Sequence, residues 1–305
     1  MRLLISGATG FIGAALVPHL VSAGHEVSRL VRRVPERPND IRWDPARGSL
    51  DPASLEGFDG VVHLSGEGIA DERWTPARKQ RLWSSRIEST RLLSETLARL
   101  DRRPRVLVSM SAVGYYGDRG DEELTEASAE GRGFLTRLAR AWEQAAEPAQ
   151  RGGIRVVHPR MGIVLGAHGG ALAKMLTPFQ LGIGGPIGNG RAWWSWIALE
   201  DVSAGIDFVL QSDRVAGPVN FTAPHPVRNA DFARVLGAAL GRPSFMPVPA
   251  FVLRALFGEM ANEAMMSSAR VMPAALLAAG YTFRHAQLES ALAAAVGRAA
   301  TSVAA

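Results

Sequence analysis

The 305-residue sequence contains no cysteine, which excludes disulfides, thiolate zinc sites and cysteine nucleophiles. Lysine is almost missing: Lys79 and Lys174 are the only two, so arginine carries the basic charge. Tyrosine occurs only at Tyr115, Tyr116 and Tyr281, and any search for a phenolic acid is correspondingly short. No stretch approaches the roughly 18 uninterrupted apolar residues of a membrane helix, so no membrane partner is expected. His63, His158 and His225 are scattered without metal-ligand spacing. There is no internal repeat and no low-complexity linker. The net charge of +5 invites a nucleic-acid reading, but no basic run is long and acids are interspersed throughout, so no nucleic-acid partner is expected. The first apolar run begins at residue 2, leaving no room for a targeting peptide, and a cytoplasmic location is the expectation.

What is present is concentrated at the start. Leu3-Leu4-Ile5 leads into Gly7-x-x-Gly10-x-x-Gly13, followed by a helical apolar pattern through Leu16, Val17 and Leu20. A strand, a glycine turn and a helix place an anion on the N-terminus of that helix. Gly7 permits the tight turn, Gly10 lets backbone approach phosphates, and Gly13 lets the helix pack close. The turn residues Gly7, Thr9, Gly10, Phe11, Ile12 and Gly13 are thus the expected cradle of a dinucleotide pyrophosphate. An anionic cofactor also accounts for some of the positive charge bias. A second strand ends at Arg32-Arg33, roughly 20 residues past the glycines, where an NAD enzyme places an acid on the ribose. No acid stands there, and Glu26 comes too early. A guanidinium suits a 2′-phosphate, so Arg32 and Arg33 predict NADP(H) rather than NAD(H).

Apolar runs and helical patterns alternate through the first half. Strands are predicted at 2–6, 26–31, 60–64, 105–110 and 154–158, and helices at 11–23, 75–100 and 132–147, with a further short strand at Ile41-Arg42-Trp43. This alternation predicts an α/β fold with a doubly wound, Rossmann-type parallel sheet. The pattern loosens after residue 160. The expected division is a dinucleotide-binding domain over 1–160, joined by parts of 198–222, and a smaller mixed substrate lobe over 161–305. That lobe includes a helical segment over 245–297, with a last amphipathic helix at 286–297 and a frayed tail at 298–305. Gly182-Ile183-Gly184-Gly185-Pro186-Ile187-Gly188-Asn189-Gly190 must be a loop.

The glycine spacing resembles that of the extended short-chain dehydrogenase/reductase (SDR) superfamily. Further segments make the resemblance specific: Trp43-Asp44-Pro45, His63-Leu64-Ser65-Gly66-Glu67, Arg73-Trp74, Arg78-Lys79, Ser85-Arg86, Gly114-Tyr115-Tyr116-Gly117 and Phe134-Leu135 with Trp142-Glu143. Arg160-Met161-Gly162-Ile163-Val164-Leu165-Gly166, Gly169-Gly170, Gly184-Gly185-Pro186-Ile187-Gly188 and Gly258-Glu259-Met260 continue the pattern. Together they resemble the atypical, epimerase-like branch with a small C-terminal domain of unknown function, over about residues 1 to 297. The resemblance implies an NADP(H)-dependent oxidoreductase or epimerase-like protein acting on a small carbonyl or sugar-like molecule, and a possible homodimer. It puts Leu64, Ser65 and Gly66 beside the adenosine and pyrophosphate, and Val164 at the nicotinamide end or simply in the core. Arg86 would reach phosphates or a ribose, or else remain a helix-surface charge.

The proton chemistry departs from the superfamily pattern, in which a Tyr is followed four residues later by a Lys. Four residues after the three tyrosines stand Arg119, Gly120 and His285, so the pair does not occur. Phe134 or Leu135 stands about where that Tyr belongs. Ser111 matches the catalytic Ser position, or merely satisfies a strand end. Tyr116 is the remaining candidate acid, given a cationic neighbour such as Arg160 or Arg86. Relatives often carry His where Ala198 stands and Gln where Ala192 stands. Trp193, Trp194 and Trp196 either line a substrate cleft, with 182–190 as its lid, or fill the core. The alternative to an enzyme is a catalytically silent NADP(H)-binding sensor or scaffold.

Overall fold

The computed structural model describes residues 1–297; the tail expected at 298–305 lies outside them. The chain divides into two compact units. The first comprises Met1–Ala112, Arg137–Arg160 and Ser203–Val219; the second comprises Val113–Thr136, Met161–Val202 and the chain from Asn220 onward. One crossing between the units falls after Arg160. The segment 113–136 instead belongs with the second unit, because Glu123–Leu124 forms a short parallel pair with Arg270–Val271.

The first unit is built on strands β1 (Arg2–Ser6), β2 (Glu26–Val31), β3 (Asp40–Asp44), β4 (Ser49–Leu50), β5 (Gly60–His63), β6 (Val106–Ser109), β7 (Arg155–Met161) and β8 (Gly217–Phe221). The sheet order is β8-β7-β6-β5-β1-β2-β3-β4, with Ser111–Ala112 pairing to β7. The pairs from β3 through β7 are parallel, while β4 turns back antiparallel on β3. Parallel strands need crossovers, which α1 (Phe11–Ser22), α2 (Pro76–Ala98), α3 (Phe134–Gln144) and α4 (Glu147–Arg151) supply. Buried on both faces, central strands read as continuous apolar runs; Leu3, Leu4, Ile5, Val61, Val62 and Leu107 are almost fully buried. Trp43, Leu55, Phe58, Leu93 and Leu97 pack in the same core.

In the second unit, α5 (Gly170–Gln180), α6 (Leu199–Gln211, which crosses into the first unit), α7 (Asn229–Leu240), α8 (Ala250–Phe257), α9 (Ala274–Ala278) and α10 (Leu288–Ala295) join short strand pairs. Trp194, Trp196, Leu172, Phe232, Leu236 and Leu292 share its core. Two of the three clustered tryptophans are therefore core residues. Trp193 is half-buried, with the Arg228 and Arg270 guanidinium carbons 4.1 and 5.0 Å from its ring centroid. The buried Asp201 carboxylate accepts from the Tyr281 hydroxyl at 3.2 Å and from the Arg284 and His285 N–H groups at 2.7 and 2.9 Å, tying the C-terminal segment to α6. Burial and this carboxylate push the Tyr281 phenol well above its ordinary pKa.

Candidate functional site

The glycine turn follows β1 at the middle of the sheet. Gly7 has φ +70°, and a Cβ there would lie 2.9 Å from the Leu64 carbonyl carbon. A Cβ on Gly13 would meet the Gly7 oxygen at 2.3 Å, so helix α1 can sit this close only without a side chain. Gly10 is the N-cap of α1 in extended conformation, with no side-chain cap and no acid in the first turn. The opening N–H groups of a helix have no intrahelical acceptor. Phe11, Ile12 and Gly13 hold those positions in α1. Thr9 and Gly10 are exposed beside it.

The adjoining strand end is locked by a buried relay. Ser89 Oγ donates to the Ser85 oxygen at 2.8 Å, so it accepts from His63 Nε2 at 3.3 Å. The bare Nδ1 of His63 then accepts from Ser6 Oγ at 2.6 Å, and Ser6 Oγ accepts the Leu64 N–H at 3.2 Å. Full burial lowers the His63 pKa to about 4, which keeps the ring neutral at pH 7. The relay fixes β1 against β5 where the glycine turn and the Leu64-Ser65-Gly66 segment begin.

Arg86 is buried, not a surface charge. Its guanidinium donates to the Leu82 and Glu67 carbonyls at 3.1 and 2.7 Å and lies 5.1 Å from the Trp142 ring centroid. Its Nε has no partner among the described residues, and a Cβ on Gly66 would lie 3.3 Å from its Cζ. Burial, with Arg78 nearby, lowers its pKa to about 10, so it stays charged. Gly7, Leu64, Gly66 and Arg86 are thus brought together. At the end of β2 the two arginines differ. Arg33 pairs with Glu36, whereas Arg32 is exposed and makes no ion pair or side-chain hydrogen bond among the described residues. No acidic residue follows β2 until Glu36.

Ser111 is joined by residues that sequence reasoning quoted but did not connect. Its hydroxyl donates to Glu143 Oε1 at 2.6 Å. Arg160 grips the same carboxylate, Nε to Oε1 at 2.8 Å and a terminal nitrogen to Oε2 at 2.9 Å. Ser111 and Arg160 are buried, and Glu143 is nearly so. The signal was available: Glu143 lies eight residues, about two helical turns, after Leu135, on the face where the superfamily's Tyr and Lys would project. His158, buried beside this group, donates from Nδ1 to the Ser109 oxygen at 3.3 Å, and burial lowers its pKa.

Tyr116 sits in the second unit, fully buried with Leu124 and Val271. Its hydroxyl donates to Asn220 Oδ1 at 2.7 Å, and Asn220 is held by Met272 and Glu126. This is a packing environment rather than that of an open proton donor. Val164 lies half-buried in Ile163–Leu165, paired with Trp196–Ala198. The α3 N-terminus is capped from a distance: Glu263 accepts the Phe134 and Leu135 N–H groups, each at 2.8 Å, and Gly133 (φ +119°) makes room for its carboxylate. Among the described residues no His, Asp and Glu cluster could hold a metal, and no helix is long and apolar enough to cross a membrane.

Comparison with known proteins bears on the family and the fold. The NAD dependent epimerase/dehydratase family matches residues 3–221, and the domain of unknown function DUF1731 matches residues 248–295. Epimerase family protein Mb2239 of Mycobacterium bovis is 42% identical over 288 residues, covering 94% of this chain and 95% of that protein. A crystal structure of human epimerase family protein SDR39U1 with NADPH is 36% identical, with a TM-score of 0.91, covering 98% of this chain and all of the other. A nucleoside-diphosphate sugar epimerase of Corynebacterium glutamicum is 34% identical with a TM-score of 0.82, covering 99% of this chain and 59% of that one. The chain belongs to the NAD-dependent epimerase/dehydratase family, in its extended SDR-like form with a C-terminal DUF1731 domain.

Proposed function

We propose that this protein is an NADP(H)-dependent oxidoreductase acting on a small carbonyl or sugar-like substrate. One observation carries the reading: the uncapped N-terminus of α1 accompanies an unpaired Arg32 at the end of β2, with no acid at the ribose position. When bound, the cofactor supplies or accepts a hydride at a substrate carbon. The N–H groups of Phe11, Ile12 and Gly13 would take its pyrophosphate, and Arg32 its 2′-phosphate. Leu64, Ser65 and Gly66 leave backbone room for the adenosine side, with Arg86 behind them.

The accompanying proton is assigned to Ser111 and Glu143. Ser111 gives its own hydrogen to Glu143, so its lone pairs are free to accept from a substrate hydroxyl. In the oxidative direction the substrate proton passes to Ser111 as the Ser111 proton passes to Glu143; in the reductive direction both return. Arg160 holds the carboxylate in place. Tyr116 packs in this reading, and Tyr116→Phe should retain turnover.

The second reading, a silent NADP(H)-binding sensor, is favoured by Phe134 or Leu135 standing where a proton donor belongs and by the buried Tyr116. Reduced-nicotinamide absorbance separates the two. Protein and NADPH are incubated with sugars, aldehydes, ketones and quinones, with cofactor binding confirmed in the same samples. Oxidation that requires both the protein and one compound class supports the oxidoreductase, with Ser111→Ala and Glu143→Gln losing turnover but not NADPH binding. A flat trace with NADPH bound gives the sensor instead.

A further inference from the structure

The second unit contains a cavity of about 500 Å³, within the roughly 300–1,000 Å³ of small-molecule sites. One wall is the glycine-rich loop after α5 and the start of α7; the other comes from the DUF1731 segment. The loop is firmly held. Gly188 N–H donates to the Val248 oxygen at 2.9 Å, and Val248 N–H to the Pro186 oxygen at 2.8 Å. A Cβ on Gly185 would lie 2.1 Å from the Met246 oxygen, so glycine is required at that crossing.

On the cavity wall, side-chain donors of Asn229 and Arg254 meet no acceptor among the described residues. Asn229 is only 2% exposed. Its Oδ1 accepts the Ile187 N–H at 2.6 Å, while its Nδ2 meets no acceptor among the described residues. Arg254 is exposed at the mouth of the cavity and donates from Nε to Asn262 Oδ1 at 2.9 Å, which orients the guanidinium; its two terminal nitrogens meet no acceptor among the described residues. Ile187, Pro249, Met265 and Met266 provide apolar surface, and no acidic or aromatic side chain lines the cavity. Met265 ends the π-helical turn Ala261–Met265, a form that often marks functional sites, and methionine walls adapt to varied apolar shapes.

A lone guanidinium fork matches one carboxylate. Apolar walls match a hydrocarbon body, and the lack of an aromatic ring leaves a nucleotide base nothing to stack on. We propose that this cavity binds a small apolar monocarboxylate, with Arg254 on the carboxylate, Asn229 donating to a ligand oxygen and the body against Met265 and Met266. Every group lies in one unit and the readout is binding, so the proposal stands apart from the oxidoreductase reading.

Calorimetric titration of the full chain with octanoate, 1-octanol and UDP tests it. Octanoate should bind one per chain and at least ten-fold more tightly than octanol. Arg254→Ala should remove that margin, and Met266→Trp should block octanoate by filling the cavity, both leaving NADPH affinity unchanged. Absence of octanoate binding overturns the proposal, as does equal binding of octanoate and octanol. Displacement of octanoate by UDP overturns the ligand class and makes the cavity a nucleotide site.

Discussion

The two units specify their sites in different ways. In the first, the glycine turn is made almost entirely of backbone, and its requirements are absolute: Gly13 cannot carry a Cβ with the Gly7 oxygen 2.3 Å away. Its side-chain interactions, such as Glu143 with Arg160 and the His63 relay, are buried and mutually dependent. In the second unit the cavity is assembled from three separated stretches, around Ile187, Asn229 and Arg254, and its walls are Ile, Pro and Met. A site made by backbone geometry tolerates little change. A site made by side chains on a shared scaffold can change ligand while the scaffold persists.

That contrast predicts a ranking of effects. The largest belongs to Arg160→Ala, which leaves the Glu143 carboxylate buried without its ion-pair partner. It should cost about 3–5 kcal/mol in denaturant unfolding, and a loss under 1 kcal/mol would show that water reaches Glu143. Next comes acid. His63 has a folded pKa of about 4, below the unfolded value of about 6.5, so the unfolded chain binds the extra proton. The stability tied to it is fully present above about pH 6.5 and is lost as pH falls towards 4, by up to about 3 kcal/mol. The His63→Asn variant should lack this slope; an unchanged slope would place the pH sensitivity elsewhere.

Gly13→Ala should cost about 1–3 kcal/mol through overpacking and should abolish NADPH binding, because the cradle must open to admit the methyl group. Retained binding in calorimetry would break the claim that this geometry is absolute. The smallest effect falls in the second unit. Glu263→Ala removes the carboxylate from the α3 N-terminus and should cost about 1 kcal/mol, with Glu263→Gln nearer wild type. A loss as large as that for Arg160→Ala would erase the distinction between the two units.

What the sequence made legible follows the same division. The glycine turn could be read because strand, turn and helix are consecutive, and the apolar runs located the parallel strands within a few residues. Arg32 and Arg33 could not be told apart, because only the folded loop brings Glu36 onto Arg33. Arg86 resembled its exposed neighbours on α2 until Trp142 and the Glu67 carbonyl covered it. Tyr116 seemed an available acid from its place after Ser111, but the pairing of Glu123–Leu124 with Arg270–Val271 encloses it. Ser111, Glu143 and Arg160 were each visible in the chain; their convergence depends on how a strand end, a helix face and a neighbouring strand meet. The cavity left no local signature, since Asn229 and Arg254 are ordinary residues until the loop and the DUF1731 segment border a common space.

The central claim is that the first unit reads a 2′-phosphate through Arg32, and the most direct measurement is the NADPH and NADH affinity of wild type and Arg32→Ala by calorimetry. Losing a charge-assisted contact of about 1.5–3 kcal/mol should weaken NADPH by at least ten-fold and leave NADH almost unchanged. Equal weakening of both cofactors, or none of either, would contradict the assignment.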